Sequence, residues 1–269
     1  MFRSLIAVLL VTGASANDYY KGDTLVRKGV FAFYNYEFDD AVAILSEARI
    51  DFPEHPGVHL IWAASRWVRA QANSPVEETY TILENDLSEI HPIYNELVDK
   101  YEYDPSYQLY QGSALGLSAR VSLGKKQWIR TLYRAYRGFD IINDIAKKEP
   151  GLVDAKLPIG IVEYFSGISN SILSWAITLY DLEPSTESGL HKMSLAADDG
   201  NWAWIEAKAI LSNLYLIFIY KKTQLTDRSA FIHLLIDIIQ LSGLIYLTGG
   251  VKNPFIIFLI IPSVFASSN

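Results

Sequence analysis

The sequence predicts an all-α protein in two parts: an exported α-solenoid of helical hairpins, then a C-terminal transmembrane helical hairpin. Three observations carry this. Up to about residue 205, apolar residues recur at helical spacing between turns marked by Pro and Gly. Beyond about residue 209 the charges thin out, and Phe231–Leu247 and Phe255–Phe265 are strongly apolar. The first 16 residues have the layout of an export signal. Arg3 is the positive start, Leu5–Val11 the apolar centre and Ala14-Ser15-Ala16 the cleavage site, with Asn17 the expected mature start.

Residues 22–53 show the clearest pattern. Leu25, Gly29, Ala32 and Phe33 share one helical face, and Phe38, Ala41, Leu45 and Ala48 share another. A short turn near Tyr36-Glu37 joins them, and Pro53 ends the pair. A further helix is expected over His55–Ala72, with Leu60, Ile61, Ala64, Trp67 and Val68 facing inward. Ser74 and Pro75 read as the cap and first turn of an acidic helix reaching Tyr101, interrupted at His91-Pro92. Tyr107–Leu123 is rich in small residues (Gly112, Ala114, Gly116, Ala119), which suits close helix packing. Gly124-Lys125-Lys126 is a turn into Trp128–Ala146. Leu152–Phe165, Ile168–Leu182 and Thr186–Ala197 follow, and Trp202 opens a last helix.

Gly29, Phe38, Ala41, Leu45, Ala48 and Pro53 stand where a 34-residue helix-turn-helix repeat places small, aromatic and proline residues. Residues 22–210 thus resemble bacterial tetratricopeptide-like repeat proteins. The first repeat departs from the pattern at Leu25, Ala32 and Tyr36, where Trp, Tyr and a turn Gly are usual. The resemblance implies a fold in which each hairpin buries its apolar face on its neighbours. It also implies a protein or peptide ligand on the concave face.

Composition excludes several functions. A net charge of −7 argues against a nucleic-acid partner. The absence of cysteine excludes a disulfide framework, a thiolate metal site, a Cys nucleophile and a lipoprotein anchor. His55 and His59 have the spacing of a metal pair, but Pro56 lies between them and no metal site is expected. His91 precedes a proline and reads as a loop residue; His191 reads as solvated. Ser113 and Ser118 lack a nucleophile-elbow context. Asp198-Asp199-Gly200-Asn201 lacks the ligand pattern of a calcium loop and reads as a helix-ending turn. Lys125, Lys126, Arg130, Arg134 and Arg137 form a basic stripe, either a solvated face or a patch for an acidic peptide or anionic lipid. No catalytic constellation is present, so no enzyme is expected.

The domain boundaries expected are a signal at 1–16, a helical repeat domain at 17–208 and a membrane segment at 209–269. Ala209–Tyr220 is too short to span alone and is either a marginal span or the last solenoid helix. Residues 230–248 are long enough, and 255–269 begin another span. Lys221, Lys222 and Arg228 form a loop that the positive-inside rule places in the cytoplasm. His233 and Asp237 sit one turn apart in the first full span, where ionisable groups are costly and face protein or a cavity, although His233 lies near the cytoplasmic end and can equally snorkel to the interface.

Between these spans lies Gly249-Gly250-Val251-Lys252-Asn253-Pro254-Phe255. With Leu235–Leu241 and Leu211–Tyr215, it resembles the transmembrane part of RegB/PrrB-type redox-responsive sensor histidine kinases. That resemblance implies ubiquinone as a cofactor, with Gly249, Gly250, Asn253, Pro254 and Phe255 as the contacting turn. The same residues also suit a plain hairpin turn. No phospho-acceptor box or ATP-binding module is present in this sequence.

Two functions are therefore expected. The first is an exported protein-interaction scaffold, anchored in a bacterial inner membrane with its N-terminal domain in the periplasm and in contact with membrane lipid. The second is a fused or truncated sensory membrane domain of a ubiquinone-sensing kinase.

Overall fold

The structure, a computed structural model, describes residues 19–168 and 184–222, together with residues 235 and 239. Among the described residues the regular elements are nine α-helices and one 3-10 turn, as the all-α reading requires. The chain divides into two compact units, Met1–Leu211 and Ser212–Asn269. The expected export signal, the spans at 230–248 and 255–269, His233, Asp237 and the Gly249–Phe255 turn lie outside the described residues, apart from helical Leu235 and Ile239.

The first unit opens with helices α1 (Asp23–Tyr34), α2 (Phe38–Asp51), α3 (Val58–Asn73), α4 (Val76–Lys100), α5 (Pro105–Gly124) and α6 (Trp128–Lys148). A 3-10 turn at Val153–Ala155 leads into α7 (Lys156–Ile168), and α8 covers Thr186–Asp199. Helix α9 (Trp204–Lys222) begins in this unit and ends in the second. From α1 to α7 each helix packs on the next, and α7 packs on α8. Alternate helices also touch, α1 on α3 and α3 on α5.

The α1–α2 turn follows from its hydrogen bonds. Glu37 N–H bonds Ala32 O at 2.9 Å and Tyr36 N–H bonds Phe33 O at 3.1 Å, the paired closure of a Schellman cap. That cap requires a left-handed residue, and Tyr36 supplies it at φ 65°. The α5–α6 turn repeats the arrangement. Gln127 N–H bonds Ser122 O at 2.9 Å, Lys126 N–H bonds Leu123 O at 3.0 Å, and Lys126 has φ 58°.

The main core gathers residues of α1 to α5, with Val26, Leu45, Val58, Leu83, Ile90 and Tyr94 at its centre. Of the expected α2 stripe, Ala41, Leu45 and Ala48 are fully buried and Phe38 is half-buried. In α1 the buried stripe is Val26, Gly29, Val30 and Ala32, while Leu25 and Phe33 are only half-buried. A smaller core joins Leu109, Ile142, Ile145, Ala155 and Ile159 of α5 to α7. Here α5 and α6 meet through glycines. A Cβ at Gly138 would stand 2.6 Å from Gly112 O, so only glycine permits this approach.

Three helices are also joined by polar contacts. Arg49 of α2 donates from Nε to His59 Nδ1 at 2.9 Å, pairs with Glu89 of α4 at 2.6 Å, and lies 4.0 Å from the Trp62 ring centroid.

Two local expectations are corrected. Helix α4 runs unbroken through Pro92, so His91 is helical and not in a loop. Pro92 removes one backbone donor. Leu83, Leu87, Ile90, Tyr94 and Leu97 nevertheless recur at helical spacing on both sides of it and bury one continuous stripe. Ser74 does not cap α4 either. It ends α3 in an extended conformation, as a residue before proline prefers, and Pro75 takes the cap position.

Candidate functional site

The first unit contains an apolar groove of about 480 Å³, lined by α1, α3, α5, α6, α7 and the start of α9. Its size falls within the ordinary range of ligand sites. Leu60, Ile61 and Ala64 were expected to face a core. Leu60 and Ile61 do pack on the main core, but with Ala64 they are only half-buried and also line the groove, while Trp62 and Ala63 of the same helix are buried. Across from them, Gly112 and Gly116 of α5 line the space, and Gly116 leaves its backbone exposed. A Cβ at Gly116 would meet nothing within 4 Å.

Most polar groups lining the groove are already used. Ser65 and Ser113 hydroxyls donate to Ile61 O and Leu109 O, each at 2.8 Å. The Asp154 carboxylate accepts from Trp202 N–H and Ala203 N–H, each at 3.1 Å, and so caps the entry to α9. Among the described residues, no hydrogen bond reaches the Glu206 carboxylate. It neighbours Tyr34, whose phenol is pushed up from its ordinary pKa by burial and, secondarily, by the Glu206 charge.

Trp202 separates this groove from a second cavity of about 330 Å³, which it also lines, together with Tyr19, Tyr20, Asp104, Asp199 and Asn201. The indole is held from two sides. Arg27 places its guanidinium 4.0 Å from the ring centroid and donates to Asn201 Oδ1 at 2.7 Å, and the His55 ring meets it edge-on at 5.5 Å.

Both histidines of the suspected metal pair are buried and fully engaged. His55 Nε2–H donates to Asp23 Oδ1 at 2.8 Å, and its Nδ1 accepts from Gly57 N–H at 3.1 Å. Asp23 also accepts from the Tyr19 and Tyr20 N–H groups, which fixes it as the acceptor. His59 Nε2–H donates to Pro53 O at 2.7 Å, and its Nδ1 accepts from Arg49. Each ring therefore uses both nitrogens and offers no lone pair to a metal. Burial lowers the pKa of both, and a proton on either Nδ1 would face an N–H donor. His91 Nε2 lies 2.8 Å from Ser118 Oγ, and burial lowers its pKa as well. His191 is exposed, and Asp199 ends α8 at Gly200, as the sequence suggests.

The basic stripe divides. Lys125 pairs with Glu84, and Arg134 donates to Ser122 Oγ at 2.7 Å and Ser118 O at 3.3 Å. Lys126, Arg130 and Arg137 are exposed.

The second unit is described only in part. Tyr215, Leu216, Ile217 and Phe218 of α9 are exposed, as are Leu235 and Ile239. Among the described residues no helix is long and apolar enough to cross a membrane.

The described regular elements are all helical, and the sequence beyond them is strongly apolar. Residues 171–268 match the family model of the PilS-like transmembrane domain, so this part is similar to a sensor-kinase-related membrane domain. The match includes the turn Gly249–Phe255 and agrees with the resemblance to redox sensor kinases. It begins well before the compact boundary at Leu211–Ser212 and takes in α8. The comparisons lend no support to the tetratricopeptide resemblance. No curated protein and no solved structure matches the chain.

The sequence singled out the membrane turn and missed the groove. Its signal was present in the excess apolar width of α3 and in the small residues at Gly112 and Gly116.

Proposed function

We propose that this chain is the sensory part of a membrane signalling system, in which a helical ligand-binding domain is joined to a sensor-kinase-related membrane domain. The match of residues 171–268 carries this reading. In it, Gly249 and Gly250 allow close backbone approach to ubiquinone, the Asn253 amide donates to a quinone carbonyl, and Pro254 and Phe255 frame the ring. A photoreactive quinone analogue in membranes holding the full chain tests this. Labelling at 249–255 is expected in the parent and should be lost in Asn253→Ala and Phe255→Ala. Equal labelling of parent and variants refutes it.

A second reading is a repeat-type scaffold that binds a peptide in the groove. The chain-order packing of helices, the paired Schellman turns and the apolar groove favour a solenoid of this kind. A Cβ at Gly116 meets nothing within 4 Å, so Gly116→Leu would place a side chain in the groove it lines, and a partner captured by the parent and equally by this variant excludes the groove as its site.

The proposed setting is a bacterial inner membrane with the helical domain in the periplasm. Because the chain has no cysteine, Tyr103→Cys gives a single reporter at a position 92% exposed. A membrane-impermeant maleimide should label it in intact spheroplasts. Labelling only after lysis reverses the orientation.

A further inference from the structure

The outward face of α6 combines features that a water-facing helix does not need. Ile129 is 85% exposed, Tyr133 65% and Trp128 62%. Ile129, Tyr133 and Arg137 follow one another at four-residue spacing, which stacks them along one face. Lys126 and Arg130 flank that row and are exposed, as is Arg137. Among the described residues, none of these three cations forms an ion pair. Arg130 makes only a long 3.4 Å contact to Gln127. The opposite side of α6 is committed, since Gly138 locks it against α5 and Phe139 and Ile142 line the groove. Asp140 and Asp144 come later on the helix, so the basic and aromatic character belongs to its first half.

Free cations beside Trp, Tyr and Ile are the pattern of an interfacial helix, whose rings enter the headgroup layer while its basic groups meet lipid phosphates. An acidic protein partner would satisfy the charges. Residues 171–268 of the same chain match a transmembrane domain, which favours a lipid surface over a protein as the occupant. We propose that the first half of α6, through Lys126, Trp128, Ile129, Arg130, Tyr133 and Arg137, docks on the anionic phospholipid surface of a bilayer. This holds whether or not the membrane turn contacts a quinone.

The lack of cysteine makes the test clean. A bimane fluorophore is placed on Ile129→Cys or, as a control, on Ile50→Cys of α2, which is 79% exposed. The full chain is reconstituted in nanodiscs carrying nitroxide-labelled lipid, with or without phosphatidylglycerol. With the anionic lipid, position 129 should be quenched several-fold more than position 50. The difference should vanish in phosphatidylcholine discs and in the combined variant K126E, R130E, R137E, whose helical circular dichroism should match the parent. Equal quenching at the two positions in anionic discs overturns the proposal. So does undiminished quenching of the charge-reversed variant, and a protein partner on this face would give the first of these results.

Discussion

The tightest contact in the first unit predicts that two neighbouring Gly→Ala changes act with opposite sign. At Gly138 an added Cβ would stand 2.6 Å from Gly112 O and 3.0 Å from Gly116 N. Both atoms are backbone, so no side-chain rotation relieves the clash and α5 and α6 must move apart. Such overpacking costs about 1–3 kcal/mol, against a helix-propensity gain of about 1 kcal/mol for Ala over Gly. Gly138→Ala should therefore lose up to about 2 kcal/mol net, and the middle of that range, about 1 kcal/mol, is roughly 2–4 °C in melting temperature for a domain of this size. At Gly116 the new methyl meets nothing within 4 Å, so Gly116→Ala should gain up to about 1 kcal/mol from propensity alone. Thermal and guanidinium unfolding of the chain in nanodiscs, followed by circular dichroism, reads both. Gly138→Ala as stable as the parent would refute the close helix contact. Gly116→Ala less stable than the parent would show that the groove is filled.

Other outcomes follow from the turns, the histidines and Arg49. Tyr36→Gly and Lys126→Gly should each stabilise by about 0.5–1 kcal/mol, since a left-handed residue costs non-glycines about 1–2 kcal/mol and the flexibility of glycine returns part of that. A lower unfolding midpoint for both would contradict the Schellman geometry. His55, His59 and His91 have pKa values lowered below 6.5 in the folded state, so below that pH the unfolded chain binds protons that the folded chain resists. Stability should thus hold near neutral pH and fall as the pH drops through about 6.5, with a shallower fall in His91→Gln; denaturant midpoints at neutral and mildly acidic pH that do not differ would exclude this. Arg49→Met removes the bonds to His59 and Glu89 and the contact with Trp62, and leaves His59 Nδ1 unpartnered, a loss of about 2 kcal/mol. A midpoint shift worth less than about 0.5 kcal/mol would show that Arg49 does not join the three helices.

Helix existence was legible wherever apolar spacing and a breaker agreed. In α2, Ala41, Leu45 and Ala48 are the buried stripe, and the turns at Tyr36 and Lys126 fall where the sequence places them. Local rules failed where tertiary packing outweighed them. Pro92 reads as a breaker, yet the buried stripe from Leu83 to Leu97 carries the helix through it. His55 and His59 read as a spaced pair. Their partners, Asp23, Gly57, Arg49 and Pro53, come from other elements or from the loop before α3, so spacing alone could not show that each ring was already saturated.

The groove has a physical origin in the order of packing. Each helix between α1 and α6 is covered chiefly by the helices before and after it, and alternate helices touch only lightly. A stripe no wider than two neighbours can cover is buried completely, as Ala41, Leu45 and Ala48 are in α2. Helix α3 carries a wider one: Trp62 and Ala63 are buried, whereas Leu60 and Ile61, although packed on the main core, stay half-buried with Ala64 along the groove. Facing them, α5 and α6 approach so closely through Gly112 and Gly138 that their small and aromatic residues form a second wall, with no side chain at Gly116 to fill the space between. Apolar periodicity reports that a face avoids water, and it is the same for a core and for a ligand groove. What separates them is whether another element of the chain covers the surplus completely, and along α3 the described elements leave Leu60, Ile61 and Ala64 half-buried.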